Sequence, residues 1–472
     1  MGRLNARELI DLVLDEGSYT SWDEPIDSSG HREPYRTELR AAAERAGTDE
    51  SIVTGRATVK GRPVAVLVNE FGFLAGSIGQ AAARRIVSAV RRATAEGLPV
   101  LATTASGGTR MQEGTPAFVT MVDISRALMD HKAAGLPYLV YLRHPTTGGV
   151  FASWGSLGHI TIAEPGALVG FLGPKVYELL NGAPFPPGVQ TSDNLAHRGI
   201  IDAVVFPEEL PSMVDTALSV LVDPAEPSRR HRRSEQTTIR HDTWKSVQLT
   251  RRAHRAGVRE VLRYGSDATL RLQGTEKGER DSAMIVALAR LDGVPCVVIG
   301  QDRTTQSRIK PMGPAALREA RRGIRLANEL GLPLVSFIDT PGAELSPQAE
   351  EGAIAGEIAR CISQLSTIRV PSVSVLLGQG CGGGALALLP AARIIATQNA
   401  WLSPLPPEGA SAIVHGDIDH AEELARAQRI GAFDLRESGT VHRIIPEDDE
   451  DDAESLARAV AAEVGAQLRE LA

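Results

Sequence analysis

Cysteine is scarce in this sequence of 472 residues, with only three present. Cys296, Cys361 and Cys381 lie far apart and form no C-x-x-C pair. A disulfide framework and a zinc ribbon both need paired cysteines, so the sequence argues against these two classes of protein. We expect three buried free thiols and no metal site.

The sequence also lacks a strong charge and any long apolar run. A formal net charge of −8 gives no basic footprint for nucleic acid. No stretch approaches the roughly 20 apolar residues of a membrane-spanning helix. The first residues include Arg3, Glu8 and Asp11 where a signal peptide would have an apolar core. We therefore expect a cytoplasmic protein that binds neither nucleic acid nor membrane.

Glycine and small apolar residues are abundant where aromatic residues are few. The chain has 46 glycines, 43% hydrophobic residues and 4% aromatic residues. This composition is typical of a close-packed α/β enzyme and not of a disordered or fibrous chain. The length suits about two to three domains.

An internal repeat organises the sequence. Four pairs of matching residues are each separated by 234 positions: Gly79 and Gly313, Pro99 and Pro333, Ser106 and Thr340, and Pro137 and Pro371. A period this long indicates a duplicated domain, because solenoid repeats are roughly 20 to 50 residues long. We predict a helical lead-in at 1–50, a first domain at 51–222, a linker at 223–258 and a second domain at 259–472.

Two charged runs lie near the edges of the second domain. Residues 229–233 (RRHRR) are basic, and residues 447–452 (EDDEDD) are acidic. We expect both to be solvated connecting segments. For the basic run, the alternative is that it binds a phosphate-bearing ligand or a carrier protein.

Each half shows an α/β pattern. In the first half, a hairpin turning at Lys60-Gly61 and a helix at 78–96 precede a strand at 99–104, a glycine turn at 106–114 and a helix at 118–134. A strand at 136–142 follows. The second half repeats this with strands at 335–338 and 372–377 and a helix at 354–365. In such folds, ligands bind at the carboxyl ends of the strands.

Adjacent glycines follow an apolar run at equivalent places in the two halves. They form Thr147-Gly148-Gly149-Val150 and Gly382-Gly383-Gly384-Ala385. Bare backbone N–H groups at a helix start can stabilise a developing oxyanion, and glycine lets a substrate come close. The two loops therefore predict two oxyanion holes.

Three better-known motifs do not fit these loops. Gly378-x-Gly380-x-x-Gly383 matches a dinucleotide fingerprint, but no acidic residue lies about 20 positions on, around 396–402, to hold a ribose. A P-loop needs G-K-S or G-K-T after its glycines, which Gly384-Ala385-Leu386 does not supply. The first loop lacks the G-x-S-x-G of a nucleophile elbow.

The first half resembles the β subunit of bacterial acetyl-CoA carboxylase carboxyltransferase. The resemblance lies at 106–114 (SGGTRMQEG), 145–150 (PTTGGV) and 162–171 (IAEPGALVGF). The second half resembles the α subunit at 318–322 (REARR), 337–343 (FIDTPGA), 383–388 (GGALAL) and 407–413 (PEGASAI). The chain is thus similar to fused β–α carboxyltransferases of the actinobacterial acyl-CoA carboxylases, over about residues 50 to 447.

The resemblance implies an α/β fold of two tandem crotonase-like domains, with the active site between the amino half of one protomer and the carboxyl half of another. It implies that Gly148 and Gly149 hold the acyl-CoA thioester oxygen as it becomes an enolate. Gly384 and Ala385 would hold the ureido oxygen of biotin. Carboxybiotin would release its carboxyl group, the biotin anion would take the α proton of acetyl-CoA, and the enolate would capture the carboxyl group to give malonyl-CoA.

The resemblance also implies residues on the substrate side of the clefts. For Arg110 and Glu113, an internal ion pair that braces the loop is the alternative to contact with substrate. The substrate-binding candidates are Ser106, Gly107, Gly108, Arg110, Thr147 and Gly383.

The sequence departs from the family pattern in places. The zinc ribbon of the β subunit is missing. After the D-T-P-G turn, Glu344 stands where the family has a tyrosine. Pro406 stands where the family has a serine before P-E-G. No A-M-K-M biotinylation site is present; 309–312 (IKPM) is the nearest string. No cofactor should therefore be bound covalently. Biotin carboxylase and a biotin carboxyl carrier protein would be separate chains, and the enzyme a homodimer or a larger homo-oligomer.

Two other functions stay open at this point. A biotin-independent relative, such as a malonyl-CoA decarboxylase or an acyl transferase, could use the same enolate hole. A non-catalytic assembly subunit could keep the fold without turnover, although the intact glycine pairs argue against it.

Overall fold

The computed structural model describes residues 3–228, 230, 232–306, 311–448 and 451–472. It divides the chain into two units, Met1–Leu218 with Glu276–Gly278, and Ser219–Thr275 with Glu279–Ala472. Each unit contains one eight-stranded mixed sheet. The segment 223–258, expected to be a linker, falls within the second unit and contains a helix.

The sheet of the first unit starts from an antiparallel hairpin that turns at Lys60-Gly61, as predicted. Both turn residues have positive φ, 47° and 82°, which suits a two-residue turn between twisted strands. The strand order is β1-β2-β3-β4-β5-β6-β8, β7 pairs with β5, and every pairing from β3 onward is parallel. The strands are β1 (Thr20–Ser21), β2 (Ile52–Val59), β3 (Arg62–Asn69), β4 (Val100–Ser106), β5 (Tyr138–Thr147), β6 (Ile160–Ala163), β7 (Val169–Gly170) and β8 (Ala203–Val204).

Helices cover this sheet and bury its apolar side chains. Alanine, valine and isoleucine at helical spacing on the third helix pack against Ile52, Leu67 and other residues of the core. The helices are α1 (Ala6–Val13), α2 (Glu33–Ala46), α3 (Gln80–Ala95), α4 (Gly114–Ala133), α5 (Gly148–Phe151), α6 (Pro174–Asn181), α7 (Ser192–His197) and α8 (Leu210–Leu221).

The second unit repeats this arrangement. Its strand order is β16-β14-β13-β12-β11-β10-β9, and β15 pairs with β13. The pairings among β11 to β16 are parallel, and those of β10 with β11 and β9 are antiparallel. The strands are β9 (Ser266–Leu272), β10 (Met284–Leu291), β11 (Val294–Gln301), β12 (Leu334–Thr340), β13 (Ser372–Cys381), β14 (Arg393–Thr397), β15 (Trp401–Ser403) and β16 (Arg443–Ile445). The helices are α9 (Thr243–Thr250), α10 (Val258–Tyr264), α11 (Pro314–Leu330), α12 (Pro347–Glu351), α13 (Ile354–Ser366), α14 (Gly382–Leu386), α15 (Pro407–Val414), α16 (Ala421–Ala427), α17 (Ala432–Glu437) and α18 (Ala453–Leu471).

The duplication extends to irregularities of the two sheets. The register between β4 and β5 shifts between Thr104 and Ser106, and the register between β12 and β13 shifts between Ile338 and Thr340. These places are 234 residues apart, the same offset that relates the glycines. In each unit the long strand stays paired beyond the shift, and a glycine helix begins directly after the last residue of that strand.

Part of each charged run packs on the second unit through ion pairs, whereas we expected both runs to be solvated. Arg232 pairs with the nearly buried Glu463 at 2.8 Å, and Arg233 donates to Asp451. Glu447 is bonded to Arg255, and both side chains are buried. Residues 229, 231, 449 and 450 of these runs lie outside the described residues. The runs therefore contribute ion pairs to the fold of this unit.

All three cysteines are buried and free, as expected. Burial raises the pKa of each thiol to about 12. Among the described residues, no helix is both long and apolar enough to span a bilayer. Within the same ranges, no group of three histidine, cysteine, aspartate or glutamate side chains is arranged to hold a metal ion.

Glu319 on α11 gives the second unit a pH-dependent stability. The side chain is 2% exposed, and its carboxylate accepts a bond from the Asp281 N–H at 2.5 Å. Burial raises its pKa from 4.5 to about 7. The folded chain then holds the proton more tightly than the unfolded chain, so stability falls as the pH rises from about 4.5 to 7 and stays low above that.

Glu319→Gln removes this ionisation and is expected to stabilise the protein at high pH. We expect the free energy of unfolding at pH 8 to rise by about 1–3 kcal/mol relative to the parent, and the gain to shrink toward zero below pH 5. Urea titrations of both proteins at pH 5 and pH 8 measure this difference. An equal effect of the substitution at the two pH values would contradict it.

Candidate active site

The first glycine helix, α5, begins where β5 leaves the sheet. Gly148 has φ of 61°, which favours glycine, and its N–H donates to the carbonyl of Phe171 at 3.0 Å. The N–H of Gly149 donates to no group among the described residues. Gly149 is therefore the glycine whose N–H is free to bind an oxyanion, whereas Gly148 shapes the turn.

The turn after β4 packs against the start of this helix. The Ser106 hydroxyl accepts a bond from the Gly108 N–H at 3.0 Å, and the Gly107 N–H donates to Ala75 at 2.9 Å. Gly108 has φ of 107°, and a Cβ there would lie 3.4 Å from the Gly149 nitrogen. The structure thus brings the turn and the helix together, with the polar groups of the turn used to build it.

Thr109 is a residue of this site that the sequence analysis did not single out. Ile78 accepts the N–H of Arg110, so the N–H of Thr109 faces the other way, and in the described part of the chain it has no acceptor. The Thr109 hydroxyl would lie 3.0 Å from a Cβ on Gly149. Thr109 therefore lies beside Gly149, and its N–H is a candidate second donor of an oxyanion hole. The sequence signal for Thr109 was its position directly after Gly107 and Gly108.

Arg110 braces the turn and does not face open space. Its side chain is 1% exposed and makes a two-pronged bond to Glu50, one prong at 2.9 Å, and it also donates to the Ser77 carbonyl at 2.7 Å. Although burial alone would lower the pKa of Arg110, the bonds to Glu50 raise it. Glu113 lies 3.5 Å away and accepts the hydroxyl of Tyr35. The contacts match the internal ion pair, so we no longer propose that Arg110 binds substrate.

Thr147 also has a structural contact. It is 6% exposed, and its hydroxyl donates to the Ser106 carbonyl at 3.4 Å, which links the ends of β5 and β4. Thr147 thus holds the strand end from which the glycine helix starts.

The second glycine helix, α14, repeats the geometry of the first. Gly382 has φ of 63°, matching Gly148 at an offset of 234, so Gly383 corresponds to Gly149. Gly383 is partly exposed, and its N–H has no acceptor within the ranges that the structure describes. Gly384 and Ala385 are buried deeper in the helix. Gly384 and Ala385 stay the predicted pair, and Gly383, the counterpart of Gly149, is a further candidate donor on the more exposed side of the helix.

The turn after β12 lies beside this helix as in the first unit. The Thr340 hydroxyl accepts the Gly342 N–H at 3.1 Å, which repeats the bond between Ser106 and Gly108. A Cβ on Gly384 would lie 3.2 Å from the nitrogen of Ala343. The N–H of Ala343, the counterpart of Thr109, donates to no described group.

The departures from the family pattern have defined positions. Glu344 accepts the Ser346 hydroxyl at 2.7 Å, and its second oxygen would lie 3.0 Å from a Cβ on Gly313. Its carboxylate thus points to the start of α11. Pro406 precedes the first residue of α15, where proline fits because an N–H there would be unbonded.

The comparisons with known proteins agree with this geometry. The carboxyl transferase domain family matches residues 1–463. The chain belongs to this family. A probable biotin-dependent acyl-coenzyme A carboxylase beta3 subunit of Mycobacterium tuberculosis is 55% identical over 472 residues, which cover 99% of this chain and 95% of that protein.

Two further proteins extend the comparison. The acetyl-coenzyme A carboxylase carboxyl transferase subunits beta/alpha of Salinispora arenicola are 35% identical over 467 residues, 94% of this carboxyl transferase and 82% of that protein. Transcarboxylase 12S, solved with methylmalonyl-coenzyme A and methylmalonic acid bound, superimposes with a TM-score of 0.78 at 22% identity. The match covers 100% of this chain and 90% of that one.

These matches confirm the family and the fold predicted from the sequence. The carboxyl transferase family and the resemblance to fused β–α subunits are both confirmed. The two-sheet α/β fold, with tandem crotonase-like domains, is confirmed by the superposition on transcarboxylase 12S. The roles of individual residues in this carboxyl transferase stay predictions.

Proposed function

We propose that this chain is the carboxyltransferase subunit of a biotin-dependent acyl-CoA carboxylase, and that it transfers a carboxyl group from carboxybiotin to acetyl-CoA to give malonyl-CoA. The name of the Mycobacterium relative supports the biotin-dependent reaction, and the name of the Salinispora relative supports carboxyl transfer. The Salinispora name supports acetyl-CoA as the acceptor.

The observation that carries the proposal is the pair of equivalent N–H clusters. The first contains Thr109 and Gly149, and the second contains Ala343 and Gly383. Carboxyl transfer between two carbonyl compounds needs two places where a carbonyl oxygen can gain negative charge. We assign the thioester oxygen of the acyl-CoA to the first cluster and the ureido oxygen of biotin to the second.

The proposed reaction balances without a side-chain base. The bond between the biotin nitrogen and the carboxyl group breaks, the ureido nitrogen left with the electron pair takes the α proton of acetyl-CoA, and the enolate carbon bonds to the released carboxyl carbon. Backbone N–H groups fixed before the substrates bind stabilise such charge because they need no reorganisation. The chain contributes the backbone N–H groups that hold the thioester oxygen and the ureido oxygen in place.

The proposal requires partners. Carboxybiotin is a substrate delivered on a carrier, so we propose a biotin carboxylase and a biotin carboxyl carrier protein as separate chains. We further propose a homodimer or a larger homo-oligomer, as transcarboxylase 12S is described as a hexamer. We keep the cytoplasm as the proposed location.

The reverse half-reaction tests the proposal directly. The purified protein is incubated with malonyl-CoA, with and without free biotin, and acetyl-CoA is measured by chromatography. We expect acetyl-CoA to accumulate only when biotin is present, because biotin must accept the carboxyl group. A parallel series with longer malonyl-CoA analogues, compared by kcat/KM, tests the preference for the acetyl group.

Each other outcome identifies a different function. Release of CO2 from malonyl-CoA without biotin would indicate a decarboxylase of the same fold. Binding of malonyl-CoA with no turnover, even with biotinylated carrier protein, would indicate a non-catalytic assembly subunit. A higher kcat/KM for a longer acyl chain would overturn only the choice of acetyl-CoA.

A further inference from the structure

A buried glutamine connects the two loops of the second glycine site. Gln301 is the last residue of β11 and is 0% exposed. Its Nε2 donates to the carbonyl of Gly384 at 2.7 Å, and its Oε1 accepts the N–H of Asp339 at 3.1 Å. One side chain therefore bonds both to the glycine helix and to the strand end that precedes the Thr340 turn.

The bond to Gly384 replaces one that the helix does not make itself. In a regular helix the Gly384 carbonyl would accept the N–H of Leu388. Here the Leu388 N–H donates to Ala385 at 3.1 Å. The amide of Gln301 thus occupies a carbonyl that the short helix leaves open, one residue after the exposed N–H of Gly383.

The first glycine site has a different support. Asn69, the last residue of β3, is the counterpart of Gln301, but its amide donates to Ser51 at 2.9 Å and not to the glycine helix. The hydroxyl of Ser153, two residues after the end of α5, donates to the Gly149 carbonyl at 2.5 Å. The first helix is therefore held by its own following residue, whereas the second depends on a side chain from another strand.

We propose that Gln301 is a positioning residue that fixes the second glycine helix, and with it the N–H of Gly383, for the biotin side of the reaction. This inference rests on the proposed function for its kinetic consequence. Gln301 touches no substrate, and its effect passes through the backbone of Gly384 and Asp339. Its loss should therefore impair the biotin side and leave acyl-CoA binding intact.

Two substitutions separate the bonds. Gln301→Met keeps the approximate length and removes both bonds. Gln301→Glu keeps the acceptor for the Asp339 N–H. Because burial favours the protonated carboxyl, which can still donate, this variant is measured at about pH 9, where the ionised form cannot donate to Gly384. Gln467→Met is the matched control, because Gln467 is a buried glutamine of the same unit whose amide bonds to Glu463 on α18.

Kinetics of the malonyl-CoA and free biotin reaction provide the first measurement. We expect both Gln301 variants to lose about 10- to 100-fold in kcat/KM for biotin, the scale of a small misplacement in an active site. The dissociation constant of malonyl-CoA, measured by calorimetry, should stay within about twofold, since that site has its own support. Gln467→Met should change neither value by more than about twofold.

Hydrogen exchange followed by mass spectrometry provides a measurement that needs no activity. In Gln301→Met we expect faster exchange in peptides covering 379–388, with no change in peptides covering 145–153. Unchanged exchange at 379–388 would overturn the proposal, as would equal losses on the biotin and acyl-CoA sides. Faster exchange there, together with a parent enzyme that does not use biotin, would retain Gln301 as the support of this helix and reject the proposed function.

Discussion

Gly149→Val is expected to abolish carboxyl transfer while the fold persists. A valine Cβ at this position would lie 3.0 Å from the Thr109 hydroxyl, so the branched side chain would crowd the proposed oxyanion hole. Loss of one oxyanion donor costs roughly 3–4 kcal/mol in the transition state, or about 10²- to 10³-fold in turnover. We expect at least this loss in kcat of the malonyl-CoA and biotin reaction.

Gly30→Val is the matched control for this prediction. Gly30 is exposed, has no positive φ, and a Cβ there would have no atom within 4 Å. We expect its turnover to match that of the parent. Both variants should keep the circular dichroism spectrum and melting temperature of the parent within a few degrees. Near-normal turnover of Gly149→Val would rule out this N–H as the site of the thioester oxygen.

Arg110→Met is expected to destabilise the first unit strongly. The substitution leaves Glu50, which is 2% exposed, without its two-pronged partner, and Glu113 loses a nearby positive charge. Removal of one partner of a buried ion pair costs about 3–5 kcal/mol, because the other charge stays buried without compensation. Urea unfolding followed by fluorescence should show this decrease in the free energy of unfolding.

An exposed arginine provides the comparison for Arg110. Arg126 on α4 pairs with Asp123, and its side chain is 67% exposed. Arg126→Met should change the free energy of unfolding by less than about 0.5 kcal/mol, since exposed ion pairs contribute little. Similar effects at the two positions would mean that Arg110 is not the brace of the turn. Wild-type stability of Arg110→Met with loss of acyl-CoA binding would restore its predicted role in binding substrate.

The ends of the elements were less predictable than their order. The strand predicted at 136–142 continues to Thr147, because the polar residues at its end pair with β7 and with Ser106. Sequence patterns place polar residues in loops, and here they extend a strand toward the site. The helix predicted from 118 begins at Gly114, since glycine and proline at its first positions hid the start of the pattern.

The charged segments were misjudged for a related reason. A run of arginines or aspartates looks solvated when its partners are unknown. Arg232 pairs with Glu463, and Glu447 pairs with Arg255, and in both pairs the partners lie far apart along the chain. Long-range ion pairs leave no local pattern, so the sequence shows the charges of these segments but does not predict which partners they bind.

The sequence by itself determined the duplication, the α/β architecture, the family and the location of two glycine loops. Periodicity, turn residues and glycine conformations are local properties, and a repeat at 234 residues is visible without a structure. The tertiary structure alone decided which N–H groups are open. The Gly148 N–H donates to Phe171, Gly383 is partly exposed where Gly384 and Ala385 are buried, and Gln301 donates to Gly384, 83 residues away along the chain. Hydrogen-bond partners depend on packing between distant segments, and this is why the two glycine loops could be found from the sequence but their donors could not.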